Sequence, residues 1–235
     1  MKEKDSKNKE LLKNTFIIFI GKFCTQFISF LLVPLYTKYL ITSDYGYVDL
    51  VLTYISLILP IVILRSDSSI FRYLIDERDN KKEREKTVTS LFVLIIIQIF
   101  ALLFLSTITN MVFKIQYIVS IILSTIMYAF SSMSLQYIRG IGDNIGYSIA
   151  SIISGITTLI VNIVLIVLLK VGGVSILIST IIANIFCVLY IAFRTKIYRE
   201  IRKDSFSEKK LKKMLKYSIP MIPDRTFMVG NKCIW

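Results

Sequence analysis

Histidine is absent from the 235-residue chain. The chain therefore lacks the commonest metal ligand and the side chain that ordinarily titrates near neutral pH. Cysteine is scarce. Cys24, Cys187 and Cys233 stand far apart in apolar runs with no CxxC spacing, which points to neither a disulfide framework nor a zinc site. There are four prolines and one tryptophan, and charged residues make up only 19% of the chain. No paired-carboxylate motif, nucleophile elbow or phosphate loop is legible. The expectation is a protein that is not an enzyme and needs no metal or cofactor.

What the chain has is apolar length. Hydrophobic residues make up 54%, and mean hydropathy is +0.66. The charges crowd into a few polar segments and leave long apolar runs between them. A helix that crosses the hydrocarbon core needs roughly 20 mostly apolar residues. Runs of that length fall at 15–36, 47–66, 88–108, 115–136, 147–169 and 173–193, and a seventh starts near Tyr217 and reaches Trp235. Their length without period-two alternation predicts helices. The fold class is therefore an all-α, polytopic membrane helix bundle with about six complete transmembrane helices and a partial seventh. The first run is too long for a signal peptide and has no small-residue cleavage site, so it reads as a retained helix.

The net charge of +13 does not point to nucleic acid, because the basic residues sit between apolar runs. One set of connections holds Lys2, Lys4, Lys7, Lys9 and Lys13; Arg72, Arg78, Lys81, Lys82, Arg84 and Lys86; Arg139; and ten Lys or Arg residues from Arg194 to Lys216. The other set holds Lys38, Lys114 and Lys170. The positive-inside rule then puts the N-terminus in the cytoplasm. Anionic membrane lipids can also meet the basic loops. The chain divides into a basic tail (1–14), a six-helix lobe (15–193), a basic linker (194–216) and the start of a second lobe (217–235). In the linker, Ile201, Phe206, Leu211, Met214 and Leu215 form an apolar side suited to the membrane surface. The seventh run ends with no polar flank, and we read the chain as cut short.

Polar residues inside the runs are the candidate functional groups, since a charge near the bilayer centre costs roughly 2.5–3.5 kcal/mol on insertion scales. Lys22, Gln26 and Ser29 share one face of the first helix. That face either meets neighbouring helices or a cavity, or Lys22 snorkels to the interface. Asp49, Thr53, Ser56 and Pro60 form a stripe on the second run, where Pro60 is placed to kink the helix. Arg65 and Asp67 follow near its end, either interfacial or with the Arg65 guanidinium at a cavity mouth. Ser148, Ser151, Gly155, Thr158 and Asn162 recur at helical spacing on the fifth run, a pattern for close packing or cavity lining. Ser120, Ser124, Tyr128 and Ser131, and then Ser175, Ser179 and Asn184, repeat the theme. In the seventh run Arg225 follows Pro220 and Pro223 and either faces a cavity or pairs with Asp224.

Several segments carry a family likeness. They are Pro34-Leu35-Tyr36-Thr37-Lys38-Tyr39-Leu40, Asp44-Tyr45-Gly46, Phe71-Arg72-Tyr73, Gln136-Tyr137-Ile138-Arg139-Gly140 and Tyr217-Ser218-Ile219-Pro220-Met221-Ile222-Pro223. In their order and spacing the chain resembles the N-terminal half of polysaccharide repeat-unit flippases (Wzx type) of the multidrug/oligosaccharidyl-lipid/polysaccharide exporter superfamily. The resemblance implies two six-helix lobes around a cavity in a bacterial cytoplasmic membrane. It implies an undecaprenyl-diphosphate-linked oligosaccharide as substrate, coupling to a proton or sodium gradient in some members, and polysaccharide polymerase and chain-length machinery as partners. On that reading the substrate path takes in Lys22, Gln26, Arg65, Asn162 and Arg225. The alternatives are a peptidoglycan-precursor flippase or drug/ion antiporter of the same fold, a membrane polymerase or ligase, and a membrane fragment that does not transport.

Overall fold

A computed structural model describes residues 2–113 and 116–223. Arg225, Asp224, Cys233 and most of the expected seventh run lie outside the described residues. Among the described residues eight α-helices follow one another: α1 (Lys2–Tyr39), α2 (Thr42–Val62), α3 (Ser66–Asp76), α4 (Lys81–Phe113), α5 (Ile118–Gly140), α6 (Asn144–Asn162), α7 (Val174–Thr195) and α8 (Glu208–Ser218). Among the described residues there is no strand. Six helices, α1, α2, α4, α5, α6 and α7, are long and apolar enough to cross a membrane. They fall on the six expected runs. At 1.5 Å per residue the 21 residues of α2 reach roughly 30 Å, the thickness of the hydrocarbon core.

The basic connections gather at one end of the bundle. There Arg78 donates to the Gly140 carbonyl and Arg194 meets Asp143. At the opposite end Tyr47 donates to the Gln116 carbonyl, and Gly173 packs against Asp44.

Small residues decide how closely the helices approach. A Cβ placed on Gly21 of α1 would stand 2.9 Å from Ser148 Cβ of α6. At the same crossing the Ser148 hydroxyl donates to the Ile17 carbonyl at 2.7 Å. Ser148, Gly155 and Asn162 of the stripe thus serve packing, as small residues in membranes commonly do, while Ser151 faces a cavity. At its far end α6 continues as a π-helical turn over Ile163–Leu168. Asn162, fully buried, donates from Nδ2 to the Thr158 carbonyl at 2.8 Å and to Ser179 Oγ of α7 at 2.7 Å.

The second run differs from its expected form. Pro60 does not kink a continuous helix. Instead α2 stops at Val62, and α3 starts afresh at Ser66. Pro60 has no N–H to donate, which weakens the last turn. Leu64 and Arg65 then adopt left-handed backbone angles, φ 49° and 53°. The freed Ile63 carbonyl accepts from Ser66 N, from Ser66 Oγ and from Gln98 Nε2 of α4 at 3.0 Å.

The linker also differs. Its apolar side does not rest on a membrane surface. Met214 of α8 is buried in a cluster with Ile70, Leu74, Leu91 and Tyr137, and Ile201, Leu211 and Leu215 pack against it. Lys210 locks this arrangement, with Nζ 2.8 Å from Glu77 and 3.0 Å from Glu83. Only Phe206 of that apolar set is exposed. Helix α8 runs without a break through residues 216 and 217, where the linker was expected to meet the second lobe.

Candidate functional site

Helix α5 organises the candidate site. The face that begins with Ser124 and Tyr128 continues through Ser131, Ser132, Leu135 and Gln136 to Arg139, at spacings of three and four. Gly140 ends the helix beneath α3, where a Cβ would come within 2.7 Å of Leu74 Cβ. This close approach brings the α3 arginine, Arg72, to the same end as Arg139.

A polar cavity of about 370 Å³ lies between α1, α5, α6 and α7. Lys22 enters it from α1 and Arg139 from α5. Tyr128, Gln136, Ser151 and Asn184 are among the other lining groups. Gln136 Oε1 is buried with no hydrogen-bond partner, a free acceptor in a polar wall. Tyr128 and Ser132 also line a smaller cavity of about 70 Å³ that Arg65 and Ser56 reach from α2 and its end. Arg65 is buried, with Nη1 3.6 Å from Asp67 Oδ2 and no hydrogen-bond partner for Nε. A third opening, about 530 Å³, sits at the basic end among α3, α5 and the end of α8. It is lined by Ser68, Arg72, Asp76, Gln136, Arg139 and Tyr217, among others.

Above these, toward the opposite end, the first half of α5 turns apolar residues to a groove shared with α2 and α4. It measures about 670 Å³, and Leu50, Tyr54, Ile58, Leu102, Leu105 and Ile122 are among its walls. One helix thus lines an apolar groove with one half and a cationic polar cavity with the other.

The sequence-derived candidates are distributed as follows. Lys22 lines the polar cavity, and Arg65 reaches the small cavity beside it. Gln26 is exposed on α1 and is not among the residues lining the polar cavity. Asn162 is buried between α6 and α7 rather than in a cavity. Arg225 lies outside the described residues. Sequence reasoning misses Arg139 and Gln136, because polar residues at the end of a span already have a topological explanation. The signal was present: the stripe through Tyr128 and Ser131 reaches both residues at unbroken helical spacing. Among the described residues no cluster of three His, Cys, Asp or Glu could hold a metal ion.

Outside the spans, one ionisable group is clearly shifted near the site. Burial raises the Asp143 carboxyl, but hydrogen bonds from Arg194 and the Gly146 N–H, with the Arg194 charge, hold it below the usual carboxylate range.

Comparison with known proteins matches this architecture. A family described as "Polysaccharide biosynthesis protein" matches residues 11–229. A search of curated protein sequences finds no match. Among solved structures, a MATE in complex with Br-NRF superposes with a TM-score of 0.77 at 15% identity, over 94% of this chain and 56% of that one. A MOP superfamily transporter from Pyrococcus furiosus gives 0.69 at 14% identity, over 91% and 52%. An outward-facing multidrug resistance MATE family transporter of the same superfamily gives 0.68 at 15% identity, over 91% and 52%. The chain spans about half the length of these structures. With six membrane-spanning helices in the fold of that transporter superfamily and a family match from residue 11 to residue 229, the chain belongs to the polysaccharide biosynthesis protein family.

Proposed function

We propose that this chain takes part in moving undecaprenyl-diphosphate-linked oligosaccharide units across the bacterial cytoplasmic membrane for surface polysaccharide assembly. The observation that carries this reading is the polar cavity among apolar spans with Lys22 and Arg139 in its wall. A diphosphate entering a low-dielectric region needs cationic partners, or its desolvation is prohibitive. A guanidinium meets phosphate oxygens bidentately, and an ammonium meets them as a point charge. Hydroxyl and amide groups of Tyr128, Gln136, Ser151 and Asn184 match sugar hydroxyls, which both donate and accept. The apolar groove on the other half of α5 suits the prenyl tail, so head and tail would follow one helix. Arg65 extends the cationic path toward α2.

In this reading the N-terminus faces the cytoplasm, a proton or sodium gradient drives the cycle, and the polymerase and chain-length machinery take the product on the far side. The test is genetic. Inactivating the gene for this chain should cause lipid-linked oligosaccharide to accumulate on the inner leaflet, with loss of surface polysaccharide. Normal surface polysaccharide would refute the reading. Rescue of cells lacking a peptidoglycan-precursor flippase would reassign the substrate.

A further inference from the structure

We propose that Arg72 and Arg139 form a phosphate-binding loading site at the basic end, which holds a prenyl diphosphate head before it passes into the polar cavity. The inference rests on the transport reading and adds a place and an order to it. The site is the opening of about 530 Å³ among α3, α5 and the end of α8.

Three observations converge there. First, among the described residues neither guanidinium has an anionic partner. Arg84 and Arg194 at this end each hold a carboxylate, at 2.6 and 2.5 Å. Among the described residues Arg72 and Arg139 have none within 4.0 Å, and neither has any other ion pair. Second, each lies over an aromatic ring. Arg139 sits 4.4 Å from the Phe71 centroid and Arg72 5.0 Å from the Tyr217 centroid. Stacking fixes a guanidinium by its face and leaves its edge N–H groups for an acceptor. Edge-on forks of this kind match phosphate oxygens. Ser68 adds a hydroxyl donor. Among the described residues Asp76 is the one carboxylate in the lining, so two cations face one anion there. Third, Gln136 and Arg139 line this opening and the Lys22 cavity alike. A phosphate can therefore go from Arg72 to Arg139 to Lys22 with a cation beside it throughout.

The location fits the chemistry. The opening lies where α5 ends, so a head held there leaves its tail in the bilayer. It also touches α8. An anion on the Arg72 edge sits beside the Tyr217 ring, so loading is felt at the last turn of α8.

The test uses the 235-residue chain purified into phosphatidylcholine nanodiscs, with farnesyl diphosphate as the probe and inorganic pyrophosphate as the head alone. Arg72 is exposed, so R72Q should fold, and its size-exclusion profile and helical content check this. R72Q should weaken farnesyl diphosphate binding about tenfold, the scale of one charge-assisted contact. D76N should tighten it, and pyrophosphate should follow the same order. In nanodiscs doped with phosphatidylglycerol, native mass spectrometry should show that lipid bound equally to wild type and R72Q. Wild-type affinity in R72Q with weakened binding in K22Q would overturn the loading site and leave the transport cavity standing. Loss of phosphatidylglycerol alone in R72Q would overturn it in favour of a bilayer-lipid site. No binding of the diphosphate by wild type would bring down the loading site and the transport reading together.

Discussion

Lys22 and Arg139 stand more than a hundred residues apart and line one cavity. Lys22 was visible in the sequence because a charge inside an apolar run is costly and so asks for a reason. Arg139 was hidden because a charge at the end of a run already has one, topology. Asn162 shows the reverse error. A polar residue on a regular stripe looks like cavity lining, yet its Nδ2 donates to Thr158 and Ser179 between two packed helices. Which partner a hydroxyl or amide finds depends on the neighbouring helix, and the period of one helix does not contain that information. Asp143 is another residue whose role emerges only in three dimensions. It caps α6 by accepting from the Gly146 N–H at 2.8 Å and joins α7 through Arg194. D143A should lower stability by about 1–2 kcal/mol, from one lost N-cap and one partly exposed ion pair. The folded carboxyl titrates below its unfolded value of about 3.9, so its contribution is complete above that pH. It is lost as pH falls through the lower folded value. Thermal unfolding in detergent at pH 7 and at pH 3 checks both points: the gap between wild type and D143A should narrow at pH 3.

At the scale of elements, the six spans were legible because twenty apolar residues in hydrocarbon leave the backbone one option. The breaks were not. Pro60 announced a disturbance, but a kink and a full stop look alike in sequence. The break is held from outside its own helix, by Gln98 reaching from α4 to the Ile63 carbonyl, beside Ser66. Helix α8 was read as amphipathic, correctly, but its apolar side found a protein core before it could find lipid. Lys210 is the clamp. K210A leaves Glu77 without its cation, while Glu83 keeps Lys86, and should cost about 1–2 kcal/mol, less than for a buried pair stripped of its only partner. The expected readout is faster proteolytic cleavage between residues 196 and 207 with the transmembrane core intact. The α3–α5 crossing offers a second test. G140A drives a methyl into Leu74 and should destabilise by about 1–3 kcal/mol. It should also displace α3, and with it Arg72, so farnesyl diphosphate binding should fall although no cation is removed.

At the scale of the molecule, the charge pattern and the fold give one picture. The basic connections meet at one end, and the cationic openings lie toward it. If that end faces the cytoplasm, N80C should resist an impermeant maleimide in intact cells, while I41C at the other end should react. Both positions are exposed. Reversed labelling would invert the orientation and with it the direction of loading. The most direct test of the central claim is surface polysaccharide in cells whose only copy of this gene carries K22A and R139A together. With membrane protein levels unchanged, display should fall at least about tenfold, because two cations have left the head-group path. Wild-type display at normal protein level would contradict the claim that this cavity carries the diphosphate.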